Sequence, residues 1–124
     1  MESTTDKRNA INTKPIWRRK LAQFTWAAAV STGVSKDLEI NGKVKAIVGV
    51  ANDSTNAITY TTTIKDVDGY TLYTKADWAE AATEVVVFDA DTMVYIPDGS
   101  TVTITPSGVP GASTGTFDLT LIGE

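Results

Sequence analysis

The chain contains neither cysteine nor histidine. Without cysteine there is no disulfide framework, no thiolate nucleophile and no thiolate metal site. Without histidine the commonest general base and the commonest transition-metal ligand are both missing. The serines then have no imidazole to activate them, which removes triad chemistry. The missing cysteines fit folding in a reducing cytoplasm. Long apolar runs are also lacking. No stretch approaches the about 18 apolar residues of a membrane-spanning helix, so no membrane partner is expected. The opening MESTTDKRNA is polar with no apolar run behind it and does not read as a secretory signal. No glycine-rich phosphate loop or nucleotide motif is present. An enzyme is not expected, and no cofactor is implied.

Threonine is what the chain has in excess: 20 of 124 residues. It is β-branched and polar, which suits the solvent face of a strand. The length fits one domain with a core that needs no staples. The net charge of −4 is unevenly spread. Residues 1–20 carry Lys7, Arg8, Lys14, Arg18, Arg19 and Lys20 against Glu2 and Asp6, a balance of +4, which leaves −8 on the rest. Residues 1–20 read as a basic extended arm, since apolar residues are sparse and Pro15 disfavours helix through Lys14. Residues 21–124 read as a single β-sandwich domain.

The β signal is strongest from Ala57 to Lys75. Ile58, Tyr60, Thr62 and Ile64 alternate with Thr59, Thr61, Thr63 and Lys65, the period of a two-faced strand. A three-residue loop, Val67-Asp68-Gly69, with Gly69 left-handed then pairs Ile64 with Leu72. The same device is expected twice more. A loop ending at Gly42 would pair Glu39 with Lys43 and Asp37 with Lys45, with Leu38 beside Val44 and Ala46, Val48 and Val50 continuing the apolar face. Ile96-Pro97-Asp98-Gly99 would set Val94 against Val102. Residues 21–30, LAQFTWAAAV, are ambiguous and lean to strand. Ala76 to Ala82 is the best helix candidate, about two turns, with Trp78 at one end of the core. Val85 to Phe88 reads as a strand buried on both sides. Thr101–Thr105 and Thr116–Ile122 alternate, with Val102, Ile104, Phe117, Leu119 and Leu121 inward. The fold class expected is all-β: an antiparallel sandwich, immunoglobulin-like or jelly-roll-like, of eight to nine strands with one short helix.

The close carboxylate pairs Asp66/Asp68 and Asp89/Asp91 admit a calcium loop or turn chemistry, and neither continues into a full calcium-loop spacing. Candidates for a glycosidase pair exist among Asp77, Glu80 and Glu84, but a solvated helix face explains them better. Trp26, Tyr60, Tyr70, Tyr73, Trp78 and Tyr95 could form a sugar platform or could be core, with Tyr73 the best exposed candidate. Arg18, Arg19 and Lys20 beside Trp17 interleave basic and aromatic residues, but the acidic body argues against nucleic acid. The partner-binding candidates are therefore Lys7, Arg8, Lys14, Trp17, Arg18, Arg19 and Lys20, aimed at an acidic protein surface; the alternative is a solvated tail that aids solubility.

From Ile40 onward the order of features resembles a group of small virion proteins of tailed bacteriophages. The pieces are the NGKV start at Asn41–Val44, the IKDVDGYTLY hairpin at Ile64–Tyr73, IPDGSTVTITPSG at Ile96–Gly108, and the closing GTFDLTLIG at Gly115–Gly123. The resemblance implies a sandwich that decorates or completes a virion. The role expected is a head decoration or cement protein made in the host cytoplasm, with the major capsid protein or other virion proteins as partners. A homo-oligomer, a trimer, suits a lattice. The alternative is a tail or connector component, or a receptor-binding adhesin module.

Overall fold

The structure, a computed structural model, describes residues 16–124. Ten strands follow in order: β1 (Trp17–Lys20), β2 (Phe24–Trp26), β3 (Val34–Asp37), β4 (Gly42–Ala51), β5 (Thr59–Lys65), β6 (Thr71–Ala79), β7 (Ala82–Val87), β8 (Val94–Ile96), β9 (Thr101–Pro106) and β10 (Gly115–Gly123). They form two antiparallel sheets. The larger runs β1-β10-β4-β7, with β2 also on β10 and β8 also on β4; the smaller runs β3-β9-β5-β6. The all-β, two-sheet expectation stands, with ten strands in place of eight or nine.

Period-2 alternation builds the core. On β5, Tyr60, Thr62 and Ile64 are buried while Thr59, Thr61 and Thr63 face out. On β9, Val102 and Ile104 point inward, and on β10 so do Phe117, Leu119 and Leu121. A row of five rings crosses the sandwich. Phe24 to Trp26 is 6.4 Å between centroids, Trp26 to Tyr60 5.2 Å, Tyr60 to Phe117 5.3 Å, and Phe117 to Trp78 5.7 Å. Ammonium groups close both ends, Lys36 over Phe24 at 5.1 Å and Lys75 over Trp78 at 4.9 Å.

The short helix expected at Ala76–Ala82 is absent from the described residues. That stretch is the end of β6, a tight turn and the start of β7. Asp77 (φ 62°) and Ala81 (φ 54°) sit in the left-handed region, and the Ala81 N–H donates to the Asn52 carbonyl at 3.0 Å. Burying Trp78 opposite Tyr60 overrides the helix propensity of the alanines.

Of the three expected hairpins, one forms. Gly69 (φ +89°) turns β5 into β6 through a Val67-Asp68-Gly69 loop. An extra residue then shifts the register, so Ile64 faces Tyr73 and not Leu72. Gly99 is left-handed as expected (φ +85°), but it carries the chain between sheets: Val94 pairs with Val44, while Val102 pairs with Lys36 and Ile64. β3 and β4 also lie in different sheets. Asp37 pairs with Thr101, Glu39 and not Gly42 has positive φ, and the Glu39–Lys43 and Asp37–Lys45 pairs do not form. Leu38 and Val44 both reach the core, but from opposite layers. In a sandwich, inter-sheet packing satisfies the same inward parity that cross-strand packing would.

Two further expectations change. A bulge at Lys45, between the Val44–Gly123 and Ala46–Ile122 pairs, reverses the parity of β4. Ile47 and Ala51 then fill the core, and Val48 and Val50 turn away from it. The strand expected to be buried on both sides, β7, is a sheet edge: Val86 and Phe88 pack inward, but Val85 is 58% and Val87 76% exposed. Within residues 21–30 only Phe24–Trp26 is strand.

Candidate functional site

Of the seven partner-binding candidates, Lys7, Arg8 and Lys14 lie outside the described residues. The other four form β1, which pairs along β10 from Trp17–Gly123 to Lys20–Thr120. The last residues of the expected arm thus belong to the sheet. Alternation splits them. Trp17 and Arg19 are half-buried, and Arg18 and Lys20 are exposed. The Trp17 indole lies over Gly42 and Gly123, where a Cβ would collide with the ring or crowd it. The Arg19 Nε donates to the Leu38 carbonyl at 3.0 Å, and its guanidinium pairs with Glu39 at 3.0 Å. Arg18 has no acidic partner among the described residues. Trp17, Arg18, Arg19, Ile40 and Asn41 line an open pocket of about 220 Å³.

The carboxylate pairs serve their own turns. Asp66 Oδ1 accepts from the backbone N–H of Asp68 (3.0 Å) and Tyr70 (2.9 Å). Asp89 Oδ1 accepts from the Asp91 N–H at 2.9 Å and the Thr92 hydroxyl at 3.0 Å. This is turn chemistry, with one carboxylate oxygen of Asp66 and one of Asp89 given to the backbone and the Thr92 hydroxyl. Asp77 and Glu84 lie on strands β6 and β7, not on a helix. Glu80 sits in the turn between them and accepts from the Ser54 hydroxyl at 2.7 Å, and Glu84 stands 3.9 Å from the Lys75 ammonium.

The sugar platform loses most of its members. Trp26, Tyr60 and Trp78 are in the core. Tyr73, expected outside, is half-buried edge-on to Phe88 at 5.4 Å because the register shift turns it inward. Burial holds the Tyr73 hydroxyl above the usual tyrosine range. Burial, and secondarily the Glu80 carboxylate, does the same for Tyr60. Tyr70 and Tyr95 remain exposed.

The feature that sequence reasoning missed is the outer face of the six-stranded sheet. Register places Lys20, Thr120, Val48 and Val85 in one row and Arg18, Ile122, Ala46 and Val87 in the next. Cations stand at the β1 edge and bare valines at the β7 edge. Among the outer strands, β1 carries Arg18 and Lys20, β3 carries Lys36 and Asp37, and β6 has two register shifts. β7 has six consecutive partners with no shift, and its outward residues are Thr83, Val85 and Val87. The run Glu84-Val85-Val86-Val87 held the signal only in the alternation of Thr83 with Glu84, which the three valines then hide.

No family model and no curated protein matches the chain. Among solved structures, a chain of the cyanophage Pam1 capsid asymmetric unit is similar with a TM-score of 0.59, at 15% identity over 95% of each chain. That likeness shows a shared fold. A Bacillus endospore appendage pilus protein is 22% identical over 97% of each chain, with a TM-score of 0.46. The VP2 subviral particle of infectious bursal disease virus gives 14% identity and a TM-score of 0.47, and its match covers 87% of this chain and 32% of VP2.

Proposed function

We propose that the chain is a non-enzymatic virion structural protein, a head decoration or cement protein seated on the capsid lattice. The observation that carries this reading is the exposed valine face of β4 and β7. A contiguous aliphatic patch along an exposed sheet edge marks a surface suited to protein contact. The architecture supports the same reading, since a cyanophage capsid component shares it over nearly its whole length. The partner is the major capsid protein or a neighbouring virion protein. Apolar contact comes from Val48, Val50, Val85 and Val87, and charge from Lys7, Arg8 and Lys14 reaching an acidic surface.

The test uses capsids stripped of the protein and a pelleting assay. The pair Val85→Lys and Val87→Lys is expected to abolish co-sedimentation while leaving the melting temperature within a few degrees, because both side chains face out. Unchanged binding by that variant refutes the valine face as the contact. Deleting residues 1–15 is expected to weaken binding and flatten its salt dependence. A deletion to residue 20 would remove β1 and is no test of the arm.

A further inference from the structure

The six-stranded sheet ends in two edges that differ. Among the described residues, β1 bonds only to β10 and β7 only to β4. The Leu21 N–H donates to the Leu119 carbonyl at 3.1 Å. By alternation, the backbone groups of Trp17 and Arg19 face β10, and those of Arg18 and Lys20 face away. The Phe88 N–H donates to the Lys45 carbonyl at 2.8 Å. Glu84 and Val86 therefore face β4, while Thr83, Val85 and Val87 present their amides and carbonyls to the outside.

Charge divides the edges in the same way. Arg18 and Lys20 are exposed at the β1 edge, on the outer face with Ile122 and Thr120, and neither has an acidic partner among the described residues. At the β7 edge, Val87 leads through Phe88 into the turn Asp89–Thr92, whose two carboxylates are exposed. Asp89 gives one oxygen to that turn, and the Asp91 carboxylate accepts no hydrogen bond among the described residues. Pairing like with like is opposed. β1 on β1 sets Arg18 and Lys20 against themselves. Antiparallel β7 on β7 brings the Asp89–Thr92 turn of each copy to the Glu80 end of the other. β1 on β7 joins opposite charges.

Polarity and register fit that joint. β1 is antiparallel to β10, β10 to β4 and β4 to β7, so β1 and β7 run antiparallel. A second copy set edge to edge in the same orientation brings its β1 antiparallel to β7. Arg18 and Val87 share one row of the outer face, and Lys20 and Val85 share the next. With the rows kept level, Arg18 of one copy faces Val87 of the other and Lys20 faces Val85. Each facing pair then exchanges two hydrogen bonds through groups that point outward on both strands. The Arg and Lys stems lie along the bare valines, with the Arg18 guanidinium beside the Asp89–Thr92 turn.

We propose that β1 of one copy adds to the β7 edge of the next, with Arg18 facing Val87, Lys20 facing Val85, and Arg18 paired to Asp91. The occupant is a second copy because the chain itself supplies both edges, with matched backbone groups and opposite charge. The contact joins two different edges, so it passes head to tail from copy to copy. The inference stands whether or not the chain is a virion component.

The chain has no native cysteine, so engineered thiols report the seam. Facing residues of a hydrogen-bonded antiparallel pair stand about 5.5 Å apart at Cα, within disulfide reach. Mixing full-length Lys20→Cys and Val85→Cys chains under mild oxidation is expected to give linked dimers. Lys20→Cys mixed with Thr83→Cys is expected to give roughly tenfold less, because that offset exceeds disulfide reach. Either chain alone is expected to link as poorly. All three side chains are exposed, so the variants keep the fold. Arg18→Glu in the Lys20→Cys chain, or Asp91→Lys in the Val85→Cys chain, is expected to cut the yield about fivefold, the size of one ion pair. The two together are expected to restore it. Four results overturn the proposal. The first is no mixed cross-link at concentrations up to about 1 mM, the weak limit of specific association, which would assign the edges to a different partner. The second is equal linking through Thr83→Cys, which would mean no defined register. The third is linking by either chain alone at the level of the mixture, which would mean an edge pairs with itself. The fourth is single reversals without effect, or a double reversal without rescue.

Discussion

Gly49 of β4 lies directly against the ring of Trp78 from β6: a Cβ at position 49 would stand 2.7 Å from Cε3 and Cζ3 of the indole, and 2.8 Å from Cζ of Phe117. The glycine weakens the strand locally, yet the site needs it, because the buried indole fills the volume that any side chain would take. Gly49→Ala is expected to destabilise the fold by about 1–3 kcal/mol through overpacking, read as a lower denaturation midpoint with an unchanged slope.

The Tyr60 hydroxyl is fully buried and has no hydrogen-bond partner among the described residues. Its ring is a central member of the aromatic row. Tyr60→Phe keeps the ring and removes a desolvated polar group, so stability is expected to stay within about 1 kcal/mol of the parent or to rise. Urea denaturation checks this. A loss above about 2 kcal/mol would mean that the hydroxyl is bonded.

Tyr60 and Tyr73 also make stability depend on alkaline pH. Burial raises both above the ordinary tyrosine value, with Glu80 adding to the shift at Tyr60. The unfolded chain therefore releases these protons first. Their contribution is complete below about pH 10 and is lost as pH climbs through the folded values. Melting temperature is expected to be insensitive to these groups from pH 7 to about 9, then to fall, and to fall less steeply in Tyr60→Phe and Tyr73→Phe.

Gly69 and Gly99 both hold left-handed backbone, but their surroundings differ. A Cβ at 69 meets nothing within 4 Å, whereas one at 99 stands 3.2 Å from the Val67 Cβ. Gly69→Ala is expected to cost about 1 kcal/mol from backbone strain alone, and Gly99→Ala somewhat more. Equal losses by thermal denaturation would remove the Val67 contact as a factor.

The sequence made single strands legible, and their assembly much less so. The Tyr60–Ile64, Val102–Ile104 and Phe117–Leu121 alternations lie where their period puts them, because each strand packs one face on the core. Gly69 and Gly99 are left-handed as their Asp-Gly contexts require. Which sheet a strand joins was hidden, since Leu38 and Val44 satisfy inward parity from opposite layers as well as they would from neighbouring strands. The Lys45 bulge reversed the faces of Val48 and Val50 through backbone geometry with no local side-chain signature. The helix expected around Trp78 failed because propensity is a small energy beside the burial of an indole. The valine face was obscured by a run of apolar residues that reads the same for a central strand and for an edge strand.

The most direct measurement is a cryo-EM reconstruction of native particles produced from the genome that encodes this chain. The proposed role predicts two-sheet density on the capsid lattice, with Val85 and Val87 turned toward the shell. Particles without that density, and with the chain recovered only free of them, would contradict it.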